Sequence, residues 1–292
     1  MKKNPVYRQE TTAGSRSFKL PLVILIFNSI LALVALLDMY SMINQVRQTA
    51  EIQYSSFLSL YVFAASVEFV MLLFLVPAMT AGSISGERER RTLNLLLTTQ
   101  MTAGDVVIGK LAANLSTILL LIVSSFPILA LVFIYGGITI LDAALLLLCY
   151  VTTAFLTGSI GVFCSAYFRK STIATVASYC ITVLLSLGTV AAYELSGVLG
   201  HGSGSNGSSG FFYLMLFNPG ATFRSVLSSQ IGAGNEIADF FPWLEQGPVS
   251  FVSEHWMLFG TVTQIGLAVV LVWLAVRKVE PVKRRSAKKT EH

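Results

Sequence analysis

Charged residues are scarce in this sequence, and their scarcity limits the class of protein that it encodes. Only 12% of the 292 residues are Asp, Glu, Lys or Arg, whereas 54% are hydrophobic and the mean hydropathy is +0.71. Several apolar runs reach the length that a helix needs to cross a bilayer. The composition therefore excludes an ordinary soluble domain and predicts a polytopic helical protein in a lipid bilayer. No nucleic-acid partner is expected.

Cysteine and histidine are also rare, which removes most routes to a metal centre or a catalytic nucleophile. The three cysteines, Cys149, Cys164 and Cys180, fall in apolar runs without metal-ligand spacing, as buried small hydrophobes do. The three histidines do not cluster with Ser or Cys, and no H-E-x-x-H motif occurs. We therefore expect no enzyme and no catalytic, cofactor-binding or metal-binding residues in this chain.

Six apolar runs predict an all-α integral membrane protein with a single membrane domain over residues 1–292. Between the last two runs, residues 194–255 are expected to form an extracytoplasmic loop. In this loop Asn218-Pro219-Gly220 is a turn signal, which predicts a re-entrant or surface-lying helical pair. The predicted spans are 20–40, 57–79, 110–135, 141–168, 171–193 and 256–276.

The distribution of basic residues predicts the orientation of these spans. If both termini are cytoplasmic and the spans alternate, all but two of the 20 Lys and Arg residues lie on the cytoplasmic side. The exceptions are Arg47 and Arg224. Positively charged loops resist translocation, so the bias places the basic tail, 277–292, and the segment 84–102 in the cytoplasm.

Segment 84–102 is the most polar stretch between two spans. Five consecutive charged residues, Glu87 to Arg91, precede Leu93, Leu96 and Leu97, which share one helical face. The pattern predicts a short amphipathic helix with a Glu87–Arg91 pair at i, i+4. A solvated loop that obeys the positive-inside rule is the alternative, but it explains the arginines and not the interleaved glutamates.

The next stretch contains a motif that looks like a nucleotide site. Residues 104–110 match G-x-x-x-x-G-K, but Leu111 replaces the Ser or Thr that would hold Mg²⁺, and no strand precedes the motif. We therefore interpret Lys110 as the interfacial anchor of the third span. Thr102 and Asp105 have the spacing of a capping box at the start of that helix.

Polar residues inside the spans are candidates for a transport path. Glu68 lies near the middle of the second span, where a carboxylate costs about 2.5–3.5 kcal/mol to insert. It either lines the path or packs as a protonated, hydrogen-bonded residue, and Asn28 and Asn114 are further candidates. On the fourth span, small residues predict close helix packing: Ala154, Gly158, Gly161 and Ser165.

The segment after Ile84 resembles a known signature. The order I-S-G-E-R-E-R-R-T-L-N-L-L-L-T-T at 84–99, followed by Gly109-Lys110, is similar to type-2 ABC transporter permeases. The six spans, the Asn4-Pro5 start and Asn218-Pro219 fit the same family. The segment differs from the usual pattern of the family at two positions: Gln100 stands where a proline is common, and Asn94 stands where a glutamate is common.

The resemblance implies a two-part exporter in a bacterial cell membrane. Such permeases dimerise with a second copy or with a homologous permease, and they sit on two cytosolic ABC ATPase subunits, which bind the ATP and Mg²⁺. The segment between the second and third spans then couples the ATPase to the membrane helices. In this chain the coupling residues would be Glu87, Arg88, Glu89, Arg90, Arg91, Thr92, Leu93, Leu96 and Leu97.

Two other functions remain open at this point. The protein can be a membrane anchor or sensor that recruits an ATPase without moving a solute. Alternatively, it is an ion-coupled secondary carrier that uses Glu68. Substrate-stimulated ATP hydrolysis separates the exporter from the anchor, and transport without any ATPase identifies the carrier.

Overall fold

The computed structural model describes residues 5–49, 54–91, 102–136, 139–192, 195, 213–231, 251–252 and 255–280. Over these ranges the chain is helical and no strand occurs. Six of its helices are long and apolar enough to cross a membrane. The predicted fold class, an all-α protein with six spanning helices, is confirmed.

Six long apolar helices form the spans, and three shorter helices lie before the first span, after the second and before the last. Helix α7 continues through a π-helical turn, Leu184–Gly188, toward residue 192. The bounds are α1 (Pro5–Arg16), α2 (Lys19–Thr49), α3 (Tyr54–Thr80), α4 (Ser85–Glu89), α5 (Ala103–Gly136), α6 (Ile140–Tyr167), α7 (Ser171–Val183), α8 (Pro219–Ile231) and α9 (Trp256–Val279). Of the predicted basic tail, 277–292, residues 281–292 lie outside the described residues, as does most of the predicted loop.

Helix α6 is the centre of the bundle, where it packs against α3, α5, α7 and α9. Its small-residue stripe lets α3 approach closely. A Cβ added to Gly161 would lie 2.0 Å from Thr80 Oγ1, and one added to Gly158 would touch Val76 and Leu111 at 3.5 Å. The prediction that this stripe serves helix packing is confirmed.

The third span begins earlier than its hydropathy indicates. Helix α5 starts at Ala103 rather than at Lys110, because Thr102 and Asp105 cap it reciprocally. Asp105 N donates to Thr102 Oγ1 at 3.1 Å, and Thr102 N donates to Asp105 Oδ2 at 3.2 Å. The G-x-x-x-x-G-K motif is therefore helical, which is not the conformation of a phosphate-binding loop.

Helix α8 follows the predicted Asn218-Pro219-Gly220 turn and inserts among the spans. Phe223, Val226 and Leu227 belong to the main apolar core, and the Phe223 ring stacks on Phe69 with centroids 4.2 Å apart. The described residues contain one helix of the predicted pair, and this helix packs into the bundle; the choice between a re-entrant and a surface-lying pair stays a prediction.

Candidate functional site

A buried ion cluster lies at the end of the bundle where α1, α4 and α5 meet. Lys110 Nζ is 2.6 Å from Glu10 Oε1 on α1 and 2.7 Å from Glu87 Oε1 on α4. The lysine side chain is only 5% exposed. A buried ammonium group is tolerated when carboxylates pair with it, so this cluster ties three elements together.

This arrangement corrects the interpretation of Lys110 as an interfacial anchor. Because α5 begins at Ala103, Lys110 lies two turns inside the helix and cannot extend freely to a membrane surface. Instead its charge is neutralised in the protein by Glu10 and Glu87. Glu10 is the only acidic residue among the first 19 residues. A single acidic residue in a basic segment was the one feature of the sequence that indicated a buried cationic partner.

The turn between α3 and α4 is fixed to α6 by one hydroxyl group. The backbone N–H groups of Ile84 and Ser85 donate to Ser165 Oγ at 2.8 and 2.9 Å. Ile84 is fully buried in an apolar cluster that includes Val107 and Val162. Ser165, predicted only as a packing residue, therefore also positions the start of α4.

The second glutamate of the segment, Glu89, caps the fifth span. Its carboxylate accepts from Ser171 N at 3.0 Å and from Ser171 Oγ at 2.9 Å. Lys170, at the N-cap of α7, makes no side-chain cap hydrogen bond, so Glu89 supplies a cap from another helix. A carboxylate at this position also interacts favourably with the helix dipole.

Exposure within the charged run rises toward its end: Glu87 is half-buried, as Arg88 is, and Glu89 is exposed. Arg90 and Arg91 are exposed as well. Arg91 has φ 58°, in the left-handed region, directly after α4 ends. The predicted helical pair between Glu87 and Arg91 is therefore wrong, since the helix stops first and Glu87 contacts Lys110 instead.

The apolar half of the predicted coupling segment lies outside the described residues, which end at Arg91 and resume at Thr102. The predicted role of this half in coupling to the ATPase therefore stays a prediction. The residues concerned are Thr92, Leu93, Leu96 and Leu97.

The comparison with known families agrees with this geometry. A sequence model described as ABC-2 family transporter protein matches residues 5–279. The chain belongs to this family. It is a multi-pass membrane protein of the ABC-2 permease type, as its signature at 84–111 predicts. No curated protein matches the chain significantly.

Glu68 is fully buried in this permease, between the second and third spans. Its Oε1 is hydrogen-bonded to Ser125 Oγ on α5, and its Oε2 has no hydrogen-bond partner among the described residues. Ser125 Oγ also lies 2.7 Å from the Ile122 carbonyl oxygen. One hydroxyl proton cannot serve both acceptors, so a neutral Glu68 that donates to Ser125 satisfies the group best. This geometry fits the packing alternative, and the lining role remains a prediction.

The two asparagines, Asn28 on α2 and Asn114 on α5, lie at different levels of the bundle. Asn28 Nδ2 donates to Ser124 Oγ at 2.9 Å and so joins the first and third spans. Asn114 lines a cavity beside α1 and α2, about 15 Å from Ser124 along the helix. The structure therefore separates Asn114 from the other two candidates, whereas Asn28 and Glu68 bind the neighbouring residues Ser124 and Ser125 of α5.

A second polar cluster joins three elements at the start of α8. Asn218 Nδ2 donates to the Ser186 carbonyl oxygen and to Thr189 Oγ1, both at 2.8 Å. Both acceptors lie at the π-helical turn of the fifth span, a feature that often marks functional positions. Gln264 Nε2 on α9 donates to Thr222 Oγ1 at 2.8 Å. The turn signal identified Asn218, whereas Gln264 was missed, although a polar residue inside the sixth span is itself a signal.

Proposed function

We propose that this ABC-2 permease is the membrane subunit of an exporter that is driven by a separate cytosolic ATPase. In this proposal, segment 84–102 receives the movement of the ATPase and passes it to the membrane helices. One observation carries the proposal: both glutamates of the segment bind inward, to Lys110 on the third span and to Ser171 on the fifth. A displacement of α4 is thereby transmitted to two spans and to α1.

The outward side of the segment suits a docking surface. Arg88, Arg90 and Arg91 are available for the rim of a partner, and rim charges set orientation and association rate more than affinity. Leu93, Leu96 and Leu97 would fill an apolar groove on the ATPase. The ATPase supplies the nucleotide site with its ATP and Mg²⁺, and a second permease copy completes the transporter in a bacterial cell membrane.

Replacement of Leu93, Leu96 and Leu97 together by serine tests the docking surface. Burial of each leucine stabilises a contact by about 1.5–3 kcal/mol, so the loss of three weakens binding by several orders of magnitude. The measurement is co-purification with the co-expressed ATPase in detergent, together with transport in vesicles. The variant Asn94→Ala, Leu95→Ser is the matched control, because it alters the opposite face of the predicted helix.

A variant of Glu89 separates docking from transmission. Glu89→Ala removes the cap on the fifth span but leaves the leucines intact, so ATPase binding should persist while transport per ATP hydrolysed falls. For the docking surface, the contradicting outcome is different. If the variant with Leu93, Leu96 and Leu97 replaced by serine still co-purified with the ATPase and transported fully, the ATPase contact would lie elsewhere. Transport by the permease without any ATPase would instead favour the ion-coupled carrier, for which the unpaired Glu68 Oε2 is the supporting observation.

A further inference from the structure

A cavity of about 500 Å³ lies between α1, the first span and the third span. This volume is in the range of small-molecule sites, about 300–1,000 Å³. Its lining changes character along its length. Hydroxyl and charged groups of α1 and the α1–α2 turn form one end, and side chains of the spans form an apolar end that includes Val23, Ile24 and Leu121.

The polar end carries an unneutralised positive charge. Glu10 lies there and shares the single cation Lys110 with Glu87, so this cluster keeps one net negative charge, which the basic residues nearby outnumber. Lys19 is exposed at the mouth and makes no ion pair with any described residue. Arg8 and Arg16 lie on a neighbouring face of α1, which adds to the positive potential. The electrostatics therefore favour an anionic group at the mouth.

The depth of the cavity matches the layers of a bilayer. Lys19 begins the first membrane span, so the mouth lies at the level of lipid headgroups. Val23 and Ile24 lie about one turn deeper, where acyl chains begin. The Asn114 side chain also lines the cavity and hydrogen-bonds to no described residue. Its amide N–H groups are therefore available to donate to a phosphate or ester oxygen of a lipid.

We propose that this cavity binds one anionic phospholipid of the leaflet on the α1 side, with its phosphate at Lys19 and an acyl chain in the apolar end. The basic juxtamembrane residues and the amphipathic lining identify the ligand class. The proposal gives Asn114 a role in lipid binding instead of one in the transport path. The lipid site does not depend on the ATPase contact. The lipid proposal can therefore fail while the proposed function holds, and the proposed function can fail while the lipid proposal holds.

Native mass spectrometry of the delipidated full-length permease tests the site. Phosphatidylglycerol and phosphatidylcholine with the same acyl chains are added back in turn. We expect one tightly held phosphatidylglycerol per chain and weaker retention of phosphatidylcholine. Lys19→Gln should weaken phosphatidylglycerol binding about fivefold, which corresponds to about 1 kcal/mol for one basic residue near the headgroup. Lys170→Gln makes the same charge change at an exposed position outside the cavity and should have no effect.

A pair of neighbouring residues tests the acyl-chain end with a matched control. Leu120 lines the cavity and Leu119 does not, yet their side chains are 45% and 48% exposed. Leu120→Trp should fill the cavity and abolish tight retention, whereas Leu119→Trp should retain the lipid. Both variants should remain monodisperse, because neither residue is buried.

Three results would overturn the proposal. Equal retention of the two lipids would show that the headgroup is not recognised. Equal behaviour of Leu120→Trp and Leu119→Trp would indicate lipid bound only around the outside of the protein. Displacement of phosphatidylglycerol by millimolar inorganic phosphate would identify a free-phosphate site without an acyl-chain component.

Discussion

Lys110 binds two carboxylates from other helices, Glu10 and Glu87. Its substitution should show how much the loss of this shared cation lowers the stability of the protein. Lys110→Met removes the shared cation from Glu10 and Glu87. Removal of one partner of a buried pair typically destabilises by about 3–5 kcal/mol, and the partial exposure of Glu10 reduces that figure. We expect a lower melting temperature in detergent for Lys110→Met.

The triple variant Lys110→Met, Glu10→Gln, Glu87→Gln is the internal control for this prediction. It removes all the charges of the cluster together, and replacement of a buried ion pair by neutral groups is often close to neutral. The triple variant should therefore recover much of the stability that Lys110→Met loses. If both variants melt at the same temperature, the effect comes from lysine packing rather than from uncompensated charge.

Glu68 should affect transport more than folding. Glu68→Gln keeps the shape of the side chain and places an amide that donates to Ser125 Oγ, as a neutral carboxyl group does. Expression and melting temperature should thus stay near those of the wild type, and the free energy of unfolding should change by no more than about 1 kcal/mol. Loss of transport in vesicles would support the lining role, whereas unchanged transport would leave Glu68 as a packing residue.

At the scale of helices, the contact between α3 and α6 depends on one glycine more than on another. Gly161→Ala places a methyl group against Thr80 and within 3.2 Å of the Ala81 backbone nitrogen, so a helix must shift. Overpacking of this kind costs about 1–3 kcal/mol. Gly158→Ala meets its neighbours at an ordinary 3.5 Å and gains helix propensity, about 1 kcal/mol. Thermal unfolding in detergent should separate the two variants, and equal melting temperatures would contradict the close approach.

Hydropathy and small-residue spacing predict most of the helical framework, because both are local properties of the sequence. The apolar pattern misplaces the start of α5, because Gly104, Asp105 and Gly109 interrupt the run before Lys110, and only the Thr102–Asp105 cap marks the true start. The partners of the glutamates were missed for a different reason. Glu10 lies 100 residues from Lys110, and Ser171 lies 82 from Glu89, distances that no periodic pattern encodes.

At the scale of the whole molecule, most of the described basic residues lie at one end of the bundle, with Arg47 and Arg224 as the exceptions. The C-terminal end of α9 reaches the C-terminal end of α6 there, where Lys278 Nζ lies 4.9 Å from the centre of the Tyr167 ring. Arg169 and Lys170 follow that end of α6, and Arg277 is beside Lys278. Such a concentration of positive charge resists translocation, so this end should face the cytoplasm.

Cysteine labelling at the two ends of α6 tests this orientation within one helix. Ile140 begins α6 and is 90% exposed, and Lys170 lies exposed just after its last residue. In a background in which Cys149, Cys164 and Cys180 are replaced by alanine, Ile140→Cys should react with an impermeant thiol reagent in intact cells. Lys170→Cys should react only after the membrane is permeabilised, because the bundle and the bilayer separate the two positions. If Lys170→Cys reacted in intact cells while Ile140→Cys was protected, the topology would be the reverse of the predicted one. Segment 84–102 would then lie on the side of the membrane that a cytosolic ATPase cannot reach.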